Sequence, residues 1–239
     1  MTVKISQTAD IQTFFEEASG ALNDAGNPRV KNLVLRILQD TAKLIEDMNV
    51  TPDEFWKAVD YLNRLGARQE AGLVVAGLGI EHYLDLLLDA QDAAVGIEGG
   101  TPRTIEGPLY VAGAPLSEGE ARMDDGKDAG TVMFLSGRVF DLDGKPLAGA
   151  VVDLWHANTN GTYSYFDSTQ SEYNLRRRIV TDAEGRYQAR SIVPSGYGCP
   201  PDGPTQELLN QLGRHGQRPA HIHFFISAPG HRHLTTQIN

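Results

Sequence analysis

This sequence predicts an α+β fold: an N-terminal helical domain over residues 1–100, followed by an antiparallel β-sandwich over residues 101–239. Three observations predict it. Apolar residues recur at steps of three and four through the first hundred positions, the period of an amphipathic helix. Gly99-Gly100-Thr101-Pro102 is a breaker cluster that marks a boundary. Beyond Thr131, short apolar segments alternate with polar turns, the signature of successive strands.

The first well-defined helix runs from Val30 to Met48, with Leu33, Val34, Ile37, Leu38, Leu44 and Ile45 on its apolar stripe. Thr51-Pro52-Asp53-Glu54 starts another. Thr51 can accept from a free first-turn amide, Pro52 has no amide to leave unpaired, and Glu54 can close a capping box. That helix carries Trp56, Val59 and Leu62 and stops near Gly66. A further helix is expected from Glu70 to Ala90. Strands follow over Val132–Phe140 and Ala150–Trp155, with Asp141–Pro146 turning between them. Arg178–Thr181 and Arg186–Val193, joined by Asp182-Ala183-Glu184-Gly185, read as a hairpin, and Ala220–Ala228 is another strand. Leu234–Asn239 reads as a strand just begun, which leaves the expected sandwich with an open edge and suggests a chain truncated at its C-terminus.

Composition excludes several classes. Lys plus Arg total 21 against 31 Asp plus Glu, a net charge of −10, which argues against general binding to nucleic acid or an anionic membrane. The single cysteine, Cys199, can form neither an intramolecular disulfide nor a thiolate zinc cluster. No secretory signal and no membrane-spanning run is visible, so a soluble cytoplasmic protein is expected.

Chemistry is concentrated in the second half. His221-Ile222-His223 lies in an apolar strand, where residues two apart share a face about 7 Å apart. Two such imidazoles fit neighbouring metal positions, and they fit a pair of packed core histidines equally well. His231-Arg232-His233 has the same spacing but follows Pro229-Gly230 and is expected at a solvated turn. With one cysteine, a metal would need further oxygen or nitrogen donors. Tyr163 (after a strand) and Tyr197 (in Pro194-Ser195-Gly196-Tyr197-Gly198-Cys199-Pro200) are the conspicuous tyrosines, and each alone reads as a turn residue packing its ring. Taken as a pair, two phenolates are hard anionic ligands that favour ferric iron, whose charge would ionise them near neutral pH.

Five motifs in order carry a resemblance: Thr104-Ile105-Glu106-Gly107-Pro108-Leu109-Tyr110, Asp153-Leu154-Trp155-His156-Ala157-Asn158, Tyr163-Ser164, Pro194–Pro200 and Arg218-Pro219-Ala220-His221-Ile222-His223. Through them the chain resembles the intradiol ring-cleaving dioxygenases over its whole length, and within them the members that act on catechol. The resemblance implies a non-haem iron(III) held by Tyr163, Tyr197, His221 and His223. It implies that Arg218 and Gln237 face the substrate, with Tyr197 serving also as proton acceptor. Leu73, Ile105, Pro108, Leu109 and Cys199 would line the aromatic pocket. Catechol and O2 would be substrates and cis,cis-muconate the product, within aromatic catabolism by the β-ketoadipate route. The helical domain would form a homodimer, and some family members hold a phospholipid among those helices. Family members continue beyond Asn239, so strands and part of the pocket wall would lie further on.

Other residues read as packing. Trp155 and His156 are expected to have no direct role, and Arg176-Arg177-Arg178 to be solvated or paired locally. Cys199 is expected to be a small residue on the pocket wall and not a nucleophile. Two other functions compete. A non-catalytic transthyretin-like sandwich with a helical arm would leave Tyr163, Tyr197, His221 and His223 without a shared purpose. A zinc hydrolase built on His221 and His223 lacks an obvious carboxylate ligand.

Overall fold

A computed structural model describes residues 3–239. The chain forms two compact units, one ending at Arg64 and the other spanning Leu65–Asn239.

The first unit holds α1 (Ala9–Ala18), α2 (Pro28–Met48) and most of α3 (Pro52–Ala67). The Asn27 side chain accepts from the amides of Arg29 and Val30 at 2.9 and 3.3 Å, and Pro28 occupies the first turn, so α2 starts where both end effects agree. The capping box before α3 forms as expected: Glu54 accepts from the Thr51 amide at 2.8 Å, and Thr51 Oγ1 accepts from the Glu54 amide at 3.3 Å. On α2 the apolar stripe Val30, Leu33, Ile37, Leu44 and Met48 is exposed.

In the second unit the expected helix over residues 70–90 is two helices, α4 (Ala71–Gly77) and α5 (Ile80–Ala94), bent by 61°. The break falls at Gly79, whose φ of +78° suits a residue without Cβ and ends the hydrogen-bond ladder. Among the described residues no single helix is long and apolar enough to cross a membrane.

Ten strands follow: β1 (Leu116–Glu118), β2 (Glu120–Arg122), β3 (Val132–Arg138), β4 (Val151–His156), β5 (Arg176–Val180), β6 (Arg186–Ile192), β7 (Tyr197–Gly198), β8 (Gln217–Arg218), β9 (Ile222–Ser227) and β10 (Leu234–Ile238); α6 (Pro204–Gln211) lies between β7 and β8. One sheet has the order β1-β5-β4-β9-β10 and a second the order β2-β6-β3, while β7 and β8 form a separate ribbon. The expected hairpin of β5 with β6 does not form. The turn carries the chain from one sheet to the other, with Asp182 Oδ1 accepting from the amides of Glu184 and Arg186 at 2.9 and 2.8 Å. Gly119 alone separates β1 from β2 and makes the same crossing, at φ +66°. The two crossings run side by side, so β1 pairs with β5, and β2 with β6, in parallel; the other pairings are antiparallel. Met123, Val139, Val152, Leu154, Ile179, Tyr187, Ile222 and Phe224 form the main core of this unit.

Candidate metal centre

Strand geometry places the histidines first. His221 precedes β9 and His223 lies within it, each 1% exposed. The Pro219 carbonyl stands 2.7 Å from His221 Nδ1. A carbonyl can only accept, so Nδ1 carries the proton and Nε2 keeps its lone pair. That Nε2 lies 3.0 Å from His223 Nε2. Burial pushes both imidazoles below their ordinary range and holds them neutral, the state a metal ligand needs.

The tyrosines come from two loops that touch. After β4, the Asn158 side chain accepts from the amides of Asn160 and Thr162 at 3.0 and 2.9 Å and folds the chain back to Tyr163. Gly161, at φ +76°, is the contact point: a Cβ there would stand 2.9 Å from both the Gly196 carbonyl and Tyr197 Cβ. Only glycine lets the two loops approach this closely. The rings of Tyr163 and Tyr197 meet edge to face, centroids 5.4 Å apart. Each phenol oxygen lies 3.5 Å from His221 Nε2.

These spacings suit a shared cation. A distance of 3.5 Å is long for an O–H···N hydrogen bond. Metal bonds of about 2.0–2.1 Å set neighbouring ligand atoms roughly 2.8–3.6 Å apart. Among the described residues no group of three His, Cys, Asp or Glu side chains could hold a metal, and the two phenol oxygens are the further donors that stand beside His221 Nε2. Burial pushes the Tyr163 phenol well above its ordinary range, and a cation of high charge is what would reverse that. The donor set, two oxygens that become anionic and two neutral nitrogens, fits ferric iron.

Beside it lies a cavity of about 200 Å³ lined by Leu73, Ala76, Ile105, Pro108, Cys199 and Leu209, with Tyr197 and Arg218 joining it to the donor set. Arg218, paired with Tyr197 across the β7–β8 ribbon, directs Nη1 to Tyr197 Oη at 3.5 Å and donates from Nη2 to Gln237 Oε1 at 3.1 Å. Gln237 lies opposite His223 across β9 and β10.

A family model described as "Dioxygenase" matches residues 105–239, and one described as "Catechol dioxygenase N terminus" matches residues 27–96. The chain belongs to the intradiol dioxygenase family. Catechol 1,2-dioxygenase of Acinetobacter baylyi is 63% identical over all of this chain and 78% of its own length. The enzyme of that name from a Pseudomonas species is 55% identical over all of this chain and 80% of its own. The crystal structure of catechol 1,2-dioxygenase from Pseudomonas arvilla C-1 superposes with a TM-score of 0.96 at 76% identity, covering 99% of this chain and 77% of that one.

In this dioxygenase the residues expected from sequence do not all lie together. Leu73, Ile105, Pro108 and Cys199 share the cavity wall, whereas Leu109 packs in the cluster of Trp155, Ala157 and Tyr163. Of the basic run expected to be solvated or paired locally, Arg176 is 1% exposed beneath Tyr163 and bonds Ser164 and the Leu109 carbonyl. His156 is the packing residue expected, with its ring nitrogens 2.7 Å from the Ala157 carbonyl and Ser191 Oγ. Sequence reasoning missed Leu209, on the hydrophobic face of α6, and the part played by Trp155, which stacks on His223. The alternation of β4 and β9 could have paired those two rings only if the strand register were known.

Proposed function

We propose that the protein is a non-haem iron(III) dioxygenase that cleaves catechol between its two hydroxyl-bearing carbons with O2, giving cis,cis-muconate. One observation carries the reading: two phenol oxygens and the His223 nitrogen converge on His221 Nε2 at 3.0 to 3.5 Å, beside a largely apolar cavity sized for one aromatic ring.

Tyr163, Tyr197, His221 and His223 hold the iron. Ferric iron, when bound, supplies a Lewis acid that orders the two catechol oxygens and activates the ring towards dioxygen. The chain does the rest. Leu73, Ile105, Pro108 and Cys199 clasp the ring and exclude water, with Leu109 behind them. Tyr197 Oη accepts a substrate hydroxyl proton, since it is the donor that faces the cavity. Arg218 sets a fixed positive charge against the negative charge that develops on the ring, and Gln237 holds the guanidinium in place. A non-catalytic sandwich module gives these groups no common task.

The wider reading follows from the same family. Residues 1–100 form a helical domain and 101–239 the catalytic domain. The exposed stripe of α2 supports a homodimer through the helices, with a phospholipid as a further candidate occupant. The enzyme works in the cytoplasm in aromatic catabolism.

Reconstitution with ferric iron tests the proposal. A red to burgundy protein carrying one iron per chain and forming muconate from catechol and oxygen is expected. A colourless, iron-replete protein that makes no muconate would overturn it.

A further inference from the structure

We infer that Arg176 is a positioning residue of the metal centre, which fixes the Tyr163 segment and sets a buried positive charge against the Tyr163 oxygen; this rests on the ferric reading above. Arg176 opens β5 and is 1% exposed. All its hydrogen bonds go to neutral oxygens. Nε donates to Ser164 Oγ at 3.0 Å, and Nη2 donates to the carbonyls of Leu109 and Ser164 at 2.9 and 3.1 Å. Nη1 is buried without a partner. A guanidinium so placed is costly unless an anion balances it.

The buried Asp153 carboxylate already acts on this guanidinium, and Tyr163 is the metal-centre group in position to add to that balance. Its ring centroid lies 5.8 Å from the guanidinium carbon, and it precedes Ser164, which Arg176 grips twice. Once its oxygen binds a cation it becomes an anion, and the buried charge gains a further counterpart at the metal centre. The same guanidinium ties Ser164 to Leu109, so one side chain joins the Tyr163 loop to the segment that follows Pro108 on the cavity wall. The backbone is held out of its ordinary region at both ends of this contact. Leu175, before Arg176, has φ +60°, and Tyr165, after Ser164, has φ +76°. Left-handed residues other than glycine persist where the surroundings over-determine them, and they gather at functional sites. Partners behind a metal ligand commonly govern how tightly the metal is held.

The test uses the iron-loaded protein and two readouts apart from turnover: competition for iron by a chelator, and the position of the visible charge-transfer band. Arg176→Met is expected to hold iron about 10- to 100-fold less tightly. Its band should move to longer wavelength, because the electrons of the Tyr163 oxygen lose a stabilising charge. Arg176→Lys keeps the charge and loses the fork, so it should keep the band and loosen iron by roughly tenfold. If Arg176→Met does not fold by circular dichroism, Arg176→Lys decides, and wild-type iron affinity in it overturns the inference. Folded variants that both match the wild type in band and affinity also overturn it. A wild-type protein that takes up no ferric iron defeats the ferric reading and this inference together; a coloured wild type with indifferent variants defeats this inference alone.

Discussion

Trp155 lies flat against His223, with ring centroids 4.6 Å apart and planes 2° from parallel. The two residues face each other across β4 and β9, so strand register creates the stack. His221 is oriented by the Pro219 carbonyl at its Nδ1, but His223 Nδ1 is buried without a partner. A ligating histidine is usually aimed by a hydrogen bond at its second nitrogen. His223 makes no such bond, and an indole face packs along its ring.

Trp155→Ala should therefore affect both stability and metal. Trp155 is 1% exposed, and removing it should destabilise the fold by about 3–5 kcal/mol. Denaturant unfolding measures the first effect and iron content the second. A folded Trp155→Ala protein that keeps its full iron complement would show that the stack does not aim His223.

Tyr197→Phe keeps the ring and its edge-to-face contact with Tyr163 but removes the oxygen. Muconate formation should fall by about 10²–10⁴-fold, the usual worth of a positioned proton acceptor. The visible band should change while the unfolding midpoint stays near wild type. Unchanged turnover would remove Tyr197 from the catalytic role.

Glu70 is 4% exposed, and its carboxylate accepts from the Thr205 amide at 3.0 Å, capping α6 from a distant part of the chain. α4 and α6 supply the Leu73 and Leu209 walls of the cavity. Glu70→Ala leaves a buried amide unpaired and should cost about 1–3 kcal/mol. The KM for catechol should rise more than kcat falls, which steady-state kinetics would read.

Asp153 gives a pH dependence of defined sign. Burial raises its carboxyl to about 6, against the opposing pull of the hydrogen bond donated by Tyr110 at 2.9 Å. A folded-state value above the unfolded one, about 3.9, means that the fold holds the extra proton between about pH 4 and 6. This residue's contribution to stability therefore falls as pH rises through that window, by roughly 3 kcal/mol in all. Asp153→Asn keeps an acceptor for Tyr110 and cannot ionise. Its unfolding free energy should vary less between pH 4 and 6 than that of the wild type, and equal slopes would contradict this.

Local features of the fold were legible in advance. The cap at Thr51 depends on neighbours in sequence and formed where the residue types required, whereas α2 starts at Pro28, two residues before the expected Val30. The break at Gly79 was not, because the apolar period runs on through it and a lone glycine inside a helical pattern is ambiguous. The β5–β6 connection was read as a hairpin because its turn chemistry is the same whether the chain returns to its own sheet or crosses to the other. At the site, residue types announced two imidazoles and two phenols, while the burial of Arg176 was not legible because a charged residue carries no periodic signal of its own burial.

The order of residues alone determined the helical first part, the strand-rich second part, that a single cysteine can form no intramolecular disulfide, and the donors available to a metal. Only the tertiary structure decided that Tyr163 and Tyr197 meet through Gly161, that Trp155 backs His223, and that a charged side chain lies beneath a tyrosine. The physical reason is range. Helix caps and turns are settled by hydrogen bonds among neighbours in the chain, whereas a site whose residues come from separate loops and strands exists only once sheet register and loop packing bring distant residues within a few ångströms.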